Sequence, residues 1–68
     1  MALNPLRRAR ALRNLSQERL ALLSGVNADT ISKAERGLNV SALSQARLAR
    51  ALNVPIEELF PEAEDVAL

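Results

Sequence analysis

A compact, all-α domain of five short helices is what this sequence predicts, and three observations carry that prediction. Leucine and alanine dominate the 68 residues, while there are only two glycines and a single aromatic residue, Phe60. Such a composition suits closely packed helices. Short polar residues able to cap a helix, Asn4, Ser16, Asn27 and Ser41, each stand just ahead of a stretch with apolar residues at helical spacing. The length allows one small core and no second domain, near the lower limit at which a core suffices without help from a partner.

Each element can be justified in order. Asn4 followed by Pro5 gives a cap and then proline at the first helical position, so a first helix is predicted from Pro5 to Arg13, ended near Asn14. Its inward face carries Leu6 and Ala9 but also Arg10 and Arg13, so a charge falls where the apolar stripe should continue. Ser16 caps a second helix with Glu18 in its first turn, and Leu20, Ala21, Leu23 and Ser24 form its apolar or small face. Gly25 stops this helix, Val26 drops into the core and Asn27 caps the third. In that third helix Ile31, Ala34 and Glu35 share the side of Val26, and Ala28, Asp29, Ser32, Lys33 and Arg36 share the other. After Gly37 and a short link, Ser41 caps a fourth helix whose apolar side is Leu43, Leu48, Ala49, Ala51 and Leu52. Asn53 ends it. Pro55 opens a short fifth helix with Ile56, Leu59 and Phe60 as its apolar residues, and Pro61 breaks it. The domain is expected over residues 1–61, followed by an acidic tail at 62–68.

Composition excludes several classes of function. Without cysteine or histidine there is no disulfide framework, no thiolate or imidazole metal site, and no usual base for a serine nucleophile, so neither a metal, a cofactor nor an enzymatic activity is expected. One aromatic residue offers no stacking platform for single-stranded nucleic acid. The start lacks the apolar region of a signal peptide, and no run is long enough to span a membrane, so a cytoplasmic location is expected. The formal net charge of +1 hides a division. Residues 1–50 hold nine basic and three acidic side chains, a net of +6, and residues 51–68 hold five acids and no base. The basic part can attract phosphate and the acidic end should point away from it.

The stretch LSQERLALLSGVNADTISKAERG, Leu15 to Gly37, reads as two short helices joined by a tight glycine turn, the helix-turn-helix signature. Gln17 before Leu20-Ala21, Gly25-Val26 at the turn, Thr30-Ile31-Ser32 and then Glu35-Arg36-Gly37 resemble the Xre/Cro/C1-type (phage-repressor-like) helix-turn-helix family, with the unit at about 16–36. The ending ERGLNVSALSQARLARALNVPIEELF is similar to restriction-modification controller proteins. The resemblance implies a lambda-repressor-like fold and sequence-specific binding to double-stranded DNA by a transcriptional regulator. Carried over by position, Asn27, Ala28, Asp29, Ser32 and Lys33 would face base edges, and Gln17, Thr30, Arg36 and Asn39 would lie on phosphates. Chemistry supports parts of this: Lys33 can donate to guanine O6 or N7, Ala28 can touch a thymine methyl, and Asp29 can accept from cytosine N4. The resemblance also implies that Arg10 and Glu35 pair with each other, which agrees with the cost of leaving either charge buried alone.

Three departures from the family shape the expectation. Aspartate at position 29 repels phosphate, and the segment Leu38 to Leu43 has no lysine or arginine to grip the backbone. Leu22 and Leu38 are apolar where a solvated residue is usual, so the alternative function is a helix-turn-helix interaction module such as an antitoxin or anti-repressor component. A small core and a short recognition helix together imply a homodimer on a near-palindromic site, with Ile56, Leu59 and Phe60 at the interface.

Overall fold

This computed structural model of the protein describes residues 4–61. The expected acidic tail at 62–68 lies outside the described residues. Five helices follow one another: α1 (Pro5–Leu12), α2 (Gln17–Ser24), α3 (Ala28–Glu35), α4 (Ala42–Leu52) and α5 (Ile56–Leu59). The described residues contain no strand.

The starts of the helices are set by side chains that satisfy otherwise orphaned amides. Asn4 Oδ1 accepts from the Leu6 amide at 2.8 Å, Ser16 Oγ from Arg19 at 3.0 Å, Asn27 Oδ1 from Asp29 at 2.7 Å and Ser41 Oγ from Ser44 at 3.1 Å. The ends share a device as well. After α1, α3 and α4 the chain turns through a left-handed residue, respectively Asn14, Gly37 and Asn53. The next amide then reaches back five residues: Leu15 to the Arg10 carbonyl, Leu38 to Lys33 and Val54 to Ala49, at 3.2, 3.0 and 3.0 Å. This closure requires asparagine or glycine, the residues that enter the left-handed region at least cost.

Gly25 closes α2 with φ +74°, and a Cβ built there would meet nothing within 4 Å. Gly25→Ala should therefore cost about 1 kcal/mol, from backbone conformation without a steric clash. Thermal melting of the variant checks this, and a loss several times larger would mean that the turn tolerates no adjustment at all.

The core is small and built from every helix. Leu6 of α1, Leu20 of α2, Ile31 of α3 and Leu48 and Leu52 of α4 are fully buried, joined by Ala9, Val26, Ala34, Ala49 and Leu59. Helix α2 packs on α3 and α4, α4 on α5, and α1 on α3 and α5, so α1 and α4 close the two sides of the α2–α3 pair. Leu15, Ala21, Val40, Ala51, Val54, Ile56 and Phe60 are half-buried around this centre.

Three apolar residues sit elsewhere than expected. Leu23 is 54% exposed and Leu43 is 61% exposed, so neither belongs to the apolar side assigned to it. The contact stripe of eight-residue α2 is narrow, with Leu20 at its centre, and Leu43 stands in the first turn of α4, a full turn before the buried run Leu48–Ala49 begins. Leu59 departs in the opposite sense. At 3% exposure it is consumed by the core of its own subunit and has no surface to offer a partner, leaving Ile56 and Phe60, both half-buried, of the proposed contact set.

Candidate nucleic-acid interface

Helix α3 is held by one face and open on the other. Ile31 and Ala34 anchor it with 0% and 3% exposure. The turn before it, Gly25 to Asn27, is three residues long, which is the connection a helix-turn-helix requires. On the opposite face Asn27, Asp29, Lys33 and Arg36 are exposed, and Ala28, Thr30 and Ser32 are partly so. Asn39, in the link to α4, is exposed too. The open face is thus continuous over two turns and carries short or flexible polar side chains.

The side of α3 facing α1 is fixed by a polar network. Arg10 Nε donates to Glu35 Oε2 at 2.6 Å and Arg10 Nη2 to Glu35 Oε1 at 3.0 Å, a two-point contact between planar groups. Their side chains are 15% and 6% exposed. Arg10 Nη1 also donates to the Leu15 carbonyl at 2.7 Å, which ties the end of α1 to the approach to α2. The hydrogen bonds that Arg10 donates to Glu35 raise its pKa above the ordinary arginine value; burial opposes this, and the charge of Glu35 adds to the rise. Arg10 therefore stays charged, and the stability that its raised pKa contributes is lost as pH rises through that elevated value, in strong alkali. Asn4 Nδ2 adds a further tie from the start of α1, donating to the Ala34 carbonyl at 3.3 Å.

Two contacts lie beyond the expectations from the sequence. Gln17 Nε2, at the first position of α2, donates to Glu35 Oε1 at 3.2 Å, so this amide is steered by the Arg10–Glu35 pair. No local signal could have shown it, because the partner is 18 residues away. Lys33 Nζ lies 3.4 Å from Asp29 Oδ2, one turn back on the same helix. Here the signal was visible, since an acid four residues before a base is a favoured helical pair. Asn27 has a divided role: its oxygen caps α3, which leaves its amide nitrogen uncommitted by that bond. Arg36 Nε approaches the Ser32 carbonyl at 3.4 Å, a weak contact on the exposed side.

The geometry thus presents one anchored helix with an open polar face, preceded by a short glycine turn and a capped supporting helix. A profile of helix-turn-helix domains matches residues 6–59, nearly the whole described chain. The chain belongs to the Xre/Cro/C1-type helix-turn-helix family. Among solved structures it is similar to the restriction-modification controller protein C.AhdI from Aeromonas hydrophila, with 43% identity and a TM-score of 0.76. That match covers 84% of this chain and 88% of the other. No curated protein matches it. Family and fold make this helix-turn-helix chain a DNA-binding transcriptional regulator. No helix among the described residues is long and apolar enough to cross a membrane.

Proposed function

We propose that the chain acts as a homodimer that occupies a near-palindromic operator and reads it with the outer face of α3 in the major groove. The observation that carries this reading is the disposition of α3. Its core side is fully committed through Ile31 and Ala34, whereas the residues that could reach bases stand together on the free side. In this reading Ala28, Asp29, Ser32, Lys33 and the Asn27 amide face base edges. Gln17, Thr30, Arg36 and Asn39 fix the register on phosphates, which position a protein without reading sequence. Gln17 suits that role because its hydrogen bond to Glu35 restricts the amide before DNA arrives.

Selection of bound sites from a random duplex library tests the reading directly, and it should return two related half-sites. Lys33→Ala should relax the preference at one base pair of each half-site, with about 1–3 kcal/mol of discrimination lost, while Arg36→Ala weakens all sequences alike. Absence of any selected sequence would instead favour an interaction module of the antitoxin or anti-repressor kind. The exposed side chains of Leu22 and Leu38, at 77% and 52%, would be the surface to examine in that case.

A further inference from the structure

Resting on the reading of α3 as a DNA-reading helix, we propose that Asp29 is a selectivity residue: by pairing with Lys33 it masks that charge from non-specific DNA and yields it only to the right base pair. The two side chains lie 3.4 Å apart on consecutive turns of the open face, with Asp29 72% and Lys33 50% exposed. Neither is in the core, so the pair serves no packing purpose, and an exposed pair of this kind adds little to stability. It is therefore free to open when a better partner is offered.

The consequence follows from how proteins bind DNA without regard to sequence. Such binding depends on the cations that replace counterions along the backbone. Lys33 is the only lysine of the chain. With Asp29 beside it, the base-facing surface of α3 is close to neutral, and a phosphate approaching Lys33 also meets the carboxylate. At a matching site the balance changes. Lys33 can donate to guanine O6 or N7 while Asp29 accepts from a cytosine N4, so both charges find partners of the proper kind. A wrong base pair leaves at least one of them unsatisfied. The link after α3, with no basic residue from Leu38 to Leu43, fits the same economy of non-specific attraction.

Fluorescence anisotropy over a range of salt, using the selected duplex and a random-sequence duplex, tests the proposal on the full chain and on Asp29→Asn. The variant position is exposed, so folding should be preserved; circular dichroism verifies it. Asp29→Asn should tighten binding to random duplex by roughly tenfold at low salt and steepen its salt dependence by about one counterion. Binding to the selected site should gain less or weaken, so selectivity falls. In a Lys33→Ala background the gain on random duplex should largely vanish, because no masked lysine remains to be released. An equal gain in both backgrounds would mean that Asp29 merely repels DNA, and overturns the pairing. Equal changes on both duplexes would overturn the selectivity role. If the parent protein binds neither duplex, the underlying DNA-reading assignment fails first, and that outcome is distinct from the other two.

Discussion

Glu35→Ala should lower the stability of this domain by about 3 kcal/mol, the lower end of the cost of stranding one member of a buried pair, because the Arg10–Glu35 pair is only part-buried. For a domain of this size that is comparable to the whole folding free energy, so the variant should be largely unfolded at room temperature. Three contacts fail together: both hydrogen bonds from Arg10 and the one from Gln17 lose their acceptor. Arg10→Met leaves Glu35, at 6% side-chain exposure, without its cation and should cost a similar amount. The double change Arg10→Met with Glu35→Leu should recover most of the loss, since an apolar pair of similar size can replace a buried ion pair at little cost. Recovery should stop short of complete, because the Leu15 carbonyl loses its donor from Arg10 and the Gln17 amide its acceptor on Glu35, at about 1 kcal/mol each. Urea melts of the four proteins decide the matter. Single variants as stable as the parent would mean that the charges are solvated and the network is idle.

That network also marks the boundary of what the sequence reveals. The helix starts are legible because each depends on one short polar side chain and an amide two or three residues later. Gly25 is legible for a similar reason, as a left-handed residue at the end of an apolar-spaced run. The open face of α3 follows from spacing alone once Ile31 and Ala34 are taken as inward. The exposure of Leu23 and Leu43 is not legible in the sequence, because spacing names a face without giving its width, and the width depends on which helices arrive to cover it. Leu59, 3% exposed within its own chain, shows the complementary limit. An apolar residue on a one-turn helix is equally suited to its own core or to a partner, and only the packing of α5 on α1 and α4 decides. The contact between Asp29 and Lys33 is legible, because four-residue spacing on a helix puts an acid and a base within reach of each other.

The burial of Leu59 sharpens the expected behaviour of a dimer, where the second large effect should lie. Helix α3 has eight residues and spans about 12 Å at 1.5 Å per residue, enough to read only a few base pairs. A two-fold dimer would place two such helices about 34 Å apart on one face of the duplex and so read both half-sites together. With Leu59 enclosed, the apolar surface that remains is Ile56 of α5 and Phe60 just after it, half-buried and beside the exposed Glu57 and Glu58. Ile56→Glu should therefore convert the protein to a monomer at micromolar concentration in sedimentation. Operator affinity should fall by about a hundredfold or more, as the second half-site loses the benefit of linked binding. Leu59→Ala should behave differently: it should lower the melting temperature through a core loss of about 2–5 kcal/mol, while the folded fraction still dimerises. The contrast between the two variants separates interface from core, which Ile56→Glu alone would not do. A parent protein that sediments as a monomer and protects a single asymmetric half-site in footprinting would reject the dimer, and α5 would then be simply the lid of its own core.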